Sequence, residues 1–265
     1  MPTAPRITSR QHPVVQRFRR LAMNRRKESG ALIDGEHLVG EALDAGVPIG
    51  VLLTDGRASR LADRAQKAGA AVYVGTPAVL DAASPVRTAS GVVAIATWQP
   101  ADLREALARA PALVIGLVDV QDPGNVGGAI RSADALGATG VAILDRTADP
   151  GGWRALRGAM GSTFHLPVAR GSTAEVLQEA SRARIAVAAT VAVDGAPVES
   201  ADLRRPTLVL IGNEGAGLPA DVVANADLRL TVPMRDGVDS LNVAVTAALI
   251  LYEARRQRRA TTGSR

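Results

Sequence analysis

The sequence contains no cysteine, little histidine and few aromatic residues. Without cysteine the chain has no disulfide bonds, no thiolate metal ligands and no thiol nucleophile. The three histidines, His12, His37 and His165, are too scattered to give the spacing of a metal site, so we expect no bound metal. Phe, Trp and Tyr together make up 2% of the residues, which is too few for a platform on which successive nucleotide bases stack.

Long apolar runs are also missing. No stretch approaches the roughly 18 uninterrupted apolar residues of a membrane-spanning helix. Residues 1–6 lack the apolar core of a secretion signal. We therefore expect a soluble, cytoplasmic protein. The length of 265 residues and the hydrophobic content of 47% allow one large domain or two modest ones.

Basic charge is present in excess and is concentrated at the start of the chain. The formal net charge is +5, and all but two of the 31 basic residues are arginine. Residues 1–27 contain eight basic side chains and no acidic one. Because arginine binds phosphate with paired hydrogen bonds, this basic arm is predicted to contact a folded RNA through Arg17, Arg19, Arg25 and Arg26. The alternative is a solvated arm in a chain that is rich in arginine throughout.

Short apolar runs alternate with helix-forming stretches along the whole chain, which indicates an α/β fold. In the first half the pattern predicts four strands and two helices, at residues 31–34, 50–54, 71–74 and 92–96, and at 36–45 and 58–68. In the second half it predicts six strands, at residues 113–118, 141–144, 165–168, 185–189, 207–211 and 228–232. The helices predicted there are residues 127–136, 153–160, 174–183 and 241–257. Such alternation favours a parallel sheet covered on both faces, with ligands at the carboxyl ends of its strands.

Three glycine-rich segments in the second half carry polar side chains that a core does not need: Asp122–Arg131, Ile211–Leu218 and Val232–Asn242. In the first segment, the helical spacing places Arg131 almost opposite the apolar stripe of its helix, where it faces a ligand or solvent. Asn125 is either a functional residue or the N-cap of that helix.

The second segment has the spacing Gly-x-x-Gly-x-Gly, which matches neither a dinucleotide-binding fingerprint nor a phosphate-binding loop. Its glycines let the backbone approach a ligand closely, and Glu214 is its only carboxylate. The third segment ends at Ser240, a candidate N-cap, and Asn242, which is a poor helix former. The next residues, 243–252, are almost all apolar, so this helix is expected to be buried in the core or in a subunit interface.

Together the three segments resemble the SpoU/TrmH family of RNA ribose 2′-O-methyltransferases, which is part of the SPOUT class. That family carries the motifs Asn-x-Gly-(three residues)-Arg, Gly-x-Glu-Gly-x-Gly and Pro-Met…Ser-Leu-Asn-Val, in this order. The matching segments here are Asn125–Arg131, Gly212–Gly217 and Pro233–Val243. The resemblance covers residues 113–257. The first half of the chain resembles, more weakly, the family's ribosomal-protein-like RNA-binding domain.

The resemblance implies a fold and a domain organisation. Residues 1–97 would form an RNA-binding domain, residues 98–111 a linker, and residues 112–265 a methyltransferase domain with a deep trefoil knot, a feature that is rare in proteins. It further implies that S-adenosylmethionine (AdoMet) is the cofactor and that the protein is a homodimer. The apolar helix at residues 243–252 would then be buried in the interface of the dimer.

The resemblance also implies roles for individual residues. Gly212, Val232 and Leu241 match positions whose backbone holds the cofactor, and the family usually has isoleucine at the position of Val232. The catalytic set is matched by Asn125, Arg131, Glu214, Ser240 and Asn242. Arg157 resembles a basic position that contacts RNA.

The expected reaction is transfer of the AdoMet methyl group to a ribose 2′-hydroxyl. Ribosomal RNA is the expected substrate, because minimal tRNA relatives lack a separate first domain. Arginine keeps its proton at neutral pH, so Arg131 is better suited to bind a phosphate and stabilise a developing alkoxide than to act as a base, although family proposals give it that role. The alternatives are a tRNA ribose methyltransferase, a catalytically silent RNA-binding protein, and a base-methylating relative that uses Asp236 or Asp239.

Overall fold

The structure, a computed structural model, describes residues 4–23 and 30–262, and for residues 261 and 262 the backbone alone. The chain divides into two compact units. Unit 1 consists of Met1–Gln99 and Gly151–Phe164, and unit 2 consists of Pro100–Pro150 and His165–Arg265. Among the described residues, no helix combines the length and the apolar composition that crossing a bilayer requires.

Unit 1 contains a five-stranded sheet flanked by helices. Its strands are β1 (Arg6–Ile7), β2 (Ala31–Asp34), β3 (Ile49–Thr54), β4 (Ala71–Gly75) and β5 (Val92–Ala96). Its first helices are α1 (Pro13–Ala22), α2 (Glu36–Asp44), α3 (Ser59–Lys67) and α4 (Pro77–Ala83). The strand order is β1-β4-β3-β5-β2, and only the pairs of β5 with β2 and β3 are antiparallel. This small α/β unit has the strands that the sequence pattern predicts, with β1 added at the edge.

Most of the described part of the basic arm is folded onto unit 1. In α1 the side chains of Val15, Phe18 and Leu21 are buried at three-residue spacing. Pro13 occupies the first turn, and the His12 side chain caps the helix by accepting a hydrogen bond from the Val14 amide at 3.3 Å. A merely solvated arm is therefore wrong for residues 6–22, because three apolar side chains among the arginines give the segment a buried stripe.

Unit 2 contains a seven-stranded sheet in which every pair of neighbours is parallel. Its strands are β6 (Leu113–Val118), β7 (Gly140–Leu144), β8 (Val168–Gly171), β9 (Ala186–Thr190), β10 (Ala196–Pro197), β11 (Thr207–Ile211) and β12 (Leu228–Thr231). Its helices are α5 (Leu103–Ala108), α6 (Pro123–Leu136), α8 (Thr173–Ala183), α9 (Ala220–Ala224) and α10 (Val243–Thr262). The strand order is β10-β12-β9-β11-β6-β7-β8. The predicted parallel α/β sheet is confirmed.

The centre of this sheet is formed by β11 and β6, which are buried along their whole length. Their register pairs Ile211 with Leu117, so the two strands end side by side. The polar segments that follow them consequently start at neighbouring points on the carboxyl edge of the sheet.

The boundaries of several elements differ from the predicted ones. The strand predicted at residues 165–168 lies instead at Val168–Gly171, after a short 3₁₀ turn at Ser162–Phe164. Helix α6 begins at Pro123, four residues earlier than predicted, and α10 begins at Val243, two residues later. In both helices a capping side chain that precedes the apolar stripe determines where the helix begins. The periodicity of apolar residues gives no information about such a cap.

The division into units differs from the predicted domain division at two segments. The predicted linker, residues 98–111, contains α5, whose Leu103 and Leu107 are buried in the core of unit 2. Helix α7 (Trp153–Ala159) belongs to unit 1, where Leu156 packs in the core. The assignment of RNA binding and methyl transfer to separate domains stays a prediction.

Candidate active site

Side chains from all three polar segments are joined by hydrogen bonds at one edge of unit 2. The Asn125 carboxamide nitrogen donates to the Glu214 carboxylate, and the Asn242 carboxamide nitrogen donates to Asn125 Oδ1 at 2.8 Å. Asn125 and Glu214 are half-buried, whereas Asn242 is exposed. Residues that are 89 and 117 positions apart in sequence thus form a continuous series, Asn242–Asn125–Glu214.

The first turn of α6 fixes the position of Asn125. Asp122 is the N-cap, and its side chain accepts a hydrogen bond from the Asn125 amide at 3.0 Å. Asn125 itself lies inside the helix, so the alternative that it serves as the N-cap is wrong. Because Asp122 caps the helix, the carboxamide of Asn125 is not needed for capping. It binds residues of the other two segments instead.

Asn242 caps α10. Its Oδ1 accepts hydrogen bonds from the amides of Ala244 at 2.9 Å and Val245 at 3.3 Å, the second and third residues of the helix. The capping role explains why asparagine, a poor helix former, stands at the start of this helix. It also shows that Ser240 is not the cap. Helices α6 and α10 approach closely at Gly128, where an added Cβ would lie 3.0 Å from the Cβ of Ala244. The glycine allows the approach that brings Asn242 to Asn125.

A cavity of about 300 Å³ opens beside this series, at the carboxyl ends of β9, β11 and β12. The three residues predicted to hold the cofactor, Gly212, Val232 and Leu241, all line it. Glu214 and Ser240 of the predicted catalytic set line it as well. Its wall also includes residues that sequence reasoning did not single out, namely Thr190, Val191, Ala192, Asn213, Leu230, Met234, Thr246 and Ile250.

The loop Gly212–Gly217 is folded tightly back on itself. The Asn213 carbonyl accepts a hydrogen bond from the Gly217 amide at 2.8 Å, and a Cβ at Gly212 would overlap with backbone atoms of Gly217 and Leu218. Gly217 has φ +68°, in the left-handed region that glycine adopts without strain. Gly212 and Gly217 are therefore explained by the turn itself, and the turn places loop backbone along the cavity wall.

Arg131 lies on α6 and is exposed, while Ala129 and Ala133 on the opposite side of the helix are buried, as predicted. It is not among the described residues that line the cavity. No side chain in the described part of the chain pairs with it. Arg131 is thus a cation without a partner in the described ranges, on the helix that carries Asn125 and six residues further along it.

Three of the five predicted RNA-binding residues lie in the described part of the chain, on two helices of unit 1. Arg17 and Arg19 lie half-buried on α1, and Arg157 is exposed on α7. Arg25 and Arg26 lie outside the described residues. Beside Arg157, the guanidinium of Arg154 stacks over the ring of Trp153 at 5.1 Å.

One charged pair stands next to the site. Asp119, the residue after β6, accepts hydrogen bonds from the Arg146 guanidinium, and these bonds hold the pKa of the Asp119 carboxyl below its ordinary value of 3.8. The backbone amide of Arg146 donates to the same carboxylate at 3.0 Å. Asp119 is therefore a carboxylate at neutral pH.

Comparison with known proteins decides the family. The model of the SpoU rRNA Methylase family matches residues 112–252. A Bacillus subtilis protein, the 23S rRNA (guanosine(2553)-2'-O)-methyltransferase RlmP, is 35% identical over 87% of this chain and 90% of its own. The chain belongs to the SpoU methylase family.

Other SpoU-family relatives match the chain over nearly its whole length. The Streptomyces viridochromogenes 23S rRNA (uridine(2479)-2'-O)-methyltransferase is 35% identical over 97% of this chain and 94% of its own. The crystal structure of an AdoMet-bound rRNA methyltransferase from Sinorhizobium meliloti superposes with a TM-score of 0.88. It is 30% identical to this chain and covers 96% of it, and 98% of the Sinorhizobium chain is matched. Both units, and not only the one with the three motifs, are thus similar to those of known SpoU methyltransferases.

Proposed function

We propose that this protein is an AdoMet-dependent RNA methyltransferase that transfers a methyl group to a ribose 2′-hydroxyl in ribosomal RNA. One observation carries the proposal: Asn125, Glu214 and Asn242 are joined by hydrogen bonds beside the cavity that Gly212, Val232 and Leu241 line. Family membership supplies the chemistry, since the two curated relatives are named as 2'-O-methyltransferases of 23S rRNA.

The lining of the cavity fits AdoMet. Leu230, Val232 and Ile250 offer an apolar surface for an adenine ring, and the backbone of the Gly212–Gly217 loop offers polar groups. When bound, AdoMet supplies an electrophilic methyl group on a sulfonium. The solved Sinorhizobium structure that superposes on this chain contains AdoMet, which supports the same cofactor here.

The chain's own residues would orient the ribose and stabilise the charge that develops on its oxygen. Because Arg131 is exposed and has no partner among the described residues, it can bind an RNA phosphate and lie close to the 2′-oxygen, where it would stabilise the developing negative charge. Arginine keeps its proton at neutral pH, so this role suits it better than that of a general base. Asn125, held by Glu214 and Asn242, would fix the loops around the reacting hydroxyl.

RNA binding by unit 1 is the second part of the proposal. Arg17 and Arg19 on α1 and Arg157 on α7 are the candidate contacts in the described residues, and Arg25 and Arg26 follow α1 in sequence. Ribosomal RNA is favoured over tRNA because the named 23S rRNA methyltransferases match the chain across both units. A ribosomal substrate also favours a cytoplasmic location.

A homodimer is the third part. Helix α10 exposes an apolar stripe, Val245, Leu249 and Tyr252, at spacings of four and three residues along one face. The same helix carries Asn242 at its start and contributes Val243, Thr246 and Ile250 to the cavity wall. A second copy of the chain packed on this stripe would cover the apolar surface next to the site. We also propose the trefoil knot that is typical of the family.

Transfer of a labelled methyl group tests the proposal. The purified protein is incubated with tritiated AdoMet and either 23S rRNA or tRNA from a strain that lacks the corresponding gene. We expect label in the rRNA and none in the tRNA. An Asn125→Asp variant should lose most transfer, since it places a second carboxylate against Glu214. Label in tRNA alone would indicate that tRNA, and not rRNA, is the substrate. No label in either RNA would favour a catalytically silent RNA-binding protein.

A further inference from the structure

The Asn213 side chain binds both the Gly212–Gly217 loop and the segment after β6. The Asn213 Oδ1 accepts hydrogen bonds from the amides of Gly215 at 2.9 Å and Ala216 at 3.2 Å. Its Nδ2 donates to the backbone carbonyl of Asp119 at 3.1 Å. The carboxamide therefore binds the loop with one atom and the end of β6 with the other.

Asp119 is held in turn by Arg146, which follows β7. The guanidinium of Arg146 donates from Nε and Nη2 to the two carboxylate oxygens of Asp119, at 3.3 and 3.2 Å. Asp119 has φ +56°, a left-handed conformation that is costly for a residue with a side chain. Gln121 donates to the carbonyls of both Asp119 at 3.2 Å and Arg146 at 2.8 Å. The strained residue is thus fixed through its carboxylate and its carbonyl.

These residues form a series, Arg146–Asp119–Asn213, which we call the strap. It crosses the carboxyl ends of β7, β6 and β11, which are neighbours in the sheet. The loop that it reaches has two faces. One lines the cofactor cavity, and the other faces a surface cleft of about 420 Å³ that Asp119, Arg146 and Asn213 line.

We infer that Asn213, Asp119 and Arg146 are positioning residues that hold the Gly212–Gly217 loop in its cofactor-binding shape before AdoMet arrives. The inference rests on the proposed function, since it assigns the cavity to AdoMet. A loop that is already ordered loses little conformational freedom on binding, so the strap raises affinity for the cofactor. The side chains of Asp119 and Arg146 are absent from the cavity wall, and they act through Asn213.

The experiment uses the full-length protein and the variants Asn213→Ala, Asn213→Asp and Arg146→Ala. The matched control is Arg204→Ala, because Arg204 binds Asp202 with the same Nε and Nη2 geometry, at 2.8 and 3.2 Å, away from the loop. Calorimetric titration gives the Kd for AdoMet. Hydrogen exchange at the Gly215 and Ala216 amides, without cofactor, reports on the loop, and a thermal melt reports on the fold.

For Asn213→Ala we expect the Kd for AdoMet to rise about tenfold, which corresponds to loss of the order of one net hydrogen bond. Exchange at Gly215 and Ala216 should accelerate in the same variant. Asn213→Asp keeps the acceptor oxygen for the two amides and loses the donor to Asp119, so its exchange should accelerate less than that of Asn213→Ala. Arg146→Ala should raise the Kd about threefold, as expected for an indirect support, and Arg204→Ala should leave the Kd unchanged.

A Kd within twofold of the wild type in both Asn213→Ala and Arg146→Ala would overturn the inference, and so would an equal rise in Arg204→Ala. Should Asn213→Ala fail to fold, Arg146→Ala and its amide exchange decide the matter alone. Failure of the wild-type protein to bind AdoMet would instead contradict the proposed function. The role inferred for the strap would then be contradicted as well.

Discussion

Single side chains of the site are committed to particular partners. The carboxamide of Asn125 donates to Glu214 and accepts from Asn242, so neither its nitrogen nor its oxygen can be exchanged without loss. Arg131 is different, because within the described residues its guanidinium has no partner. A guanidinium that no described residue binds is available for a phosphate of the substrate.

Arg131→Ala should reduce methyl transfer at least about a hundredfold, by analogy with the loss of one stabiliser of an oxyanion. Cofactor binding should stay near that of the wild type, because Arg131 does not belong to the cavity wall. Single-turnover transfer and AdoMet titration measure the two effects. Arg109→Ala, which removes another exposed arginine of unit 2, is the control. Turnover retained in the Arg131 variant would refute its assigned role.

At the scale of elements, the site depends on turns that only particular residues allow. Gly212 and Gly217 let the loop after β11 close on itself, while Asp122 and Asn242 start the two helices that carry the remaining groups. Each device is local in sequence, but their combined effect is to bring three distant segments together.

Gly212→Ala should weaken AdoMet binding by at least about tenfold, because the added Cβ overlaps with the backbone of Gly217 and the loop has to open. Gly215→Ala is the matched control in the same loop, since its Cβ would meet only Asn213 Oδ1 at 3.5 Å, an ordinary contact. Calorimetric titration compares the two variants. If they bind AdoMet equally, the tight turn does not shape the cofactor site.

The Asp119–Arg146 pair predicts a pH dependence of stability. The pKa of Asp119 is lowered by Arg146, so the pair stabilises the folded state above the ordinary aspartate pKa of 3.8. Its contribution is lost as the pH falls through the lowered pKa. Chemical denaturation should therefore show a difference in unfolding free energy between wild type and Arg146→Ala at about pH 7 that shrinks below about pH 4. A difference that grows on acidification would contradict this.

The elements that were predicted correctly are those with a strong local signal. Strands β6 and β11 are continuous apolar runs bounded by polar residues, and their predicted bounds agree with the structure. Helix α1 was missed because its three buried residues are dispersed among arginines. The contacts of Asn213 with Asp119 could not be predicted, because they depend on which strands become neighbours and not on spacing along the chain.

At the scale of the whole molecule, α10 connects the site to a surface. The sequence pattern predicts that this helix is buried in the core or in a subunit interface, and in the single chain Val245, Leu249 and Tyr252 are 46%, 41% and 63% exposed. The prediction left a subunit interface open as the place of burial. The homodimer proposed above would cover this exposed apolar stripe.

Leu249→Arg should convert the protein to a monomer, because it places a charge in the centre of the proposed interface. The control is Val193→Arg, which changes a 71% exposed apolar residue outside α10. Light scattering coupled to gel filtration measures the mass in solution. We expect twice the chain mass for the wild type and the control, and a single chain mass for Leu249→Arg. A wild-type protein of single chain mass would contradict the proposed homodimer.

We propose above all that the protein methylates ribose and not a base. The most direct test is nucleoside mass spectrometry of 23S rRNA, prepared from a strain without the corresponding gene and incubated with the purified protein and AdoMet. We expect a new 2′-O-methylated nucleoside, which releases an unmodified base on fragmentation. A new base-methylated nucleoside, or an unchanged nucleoside profile, would contradict it.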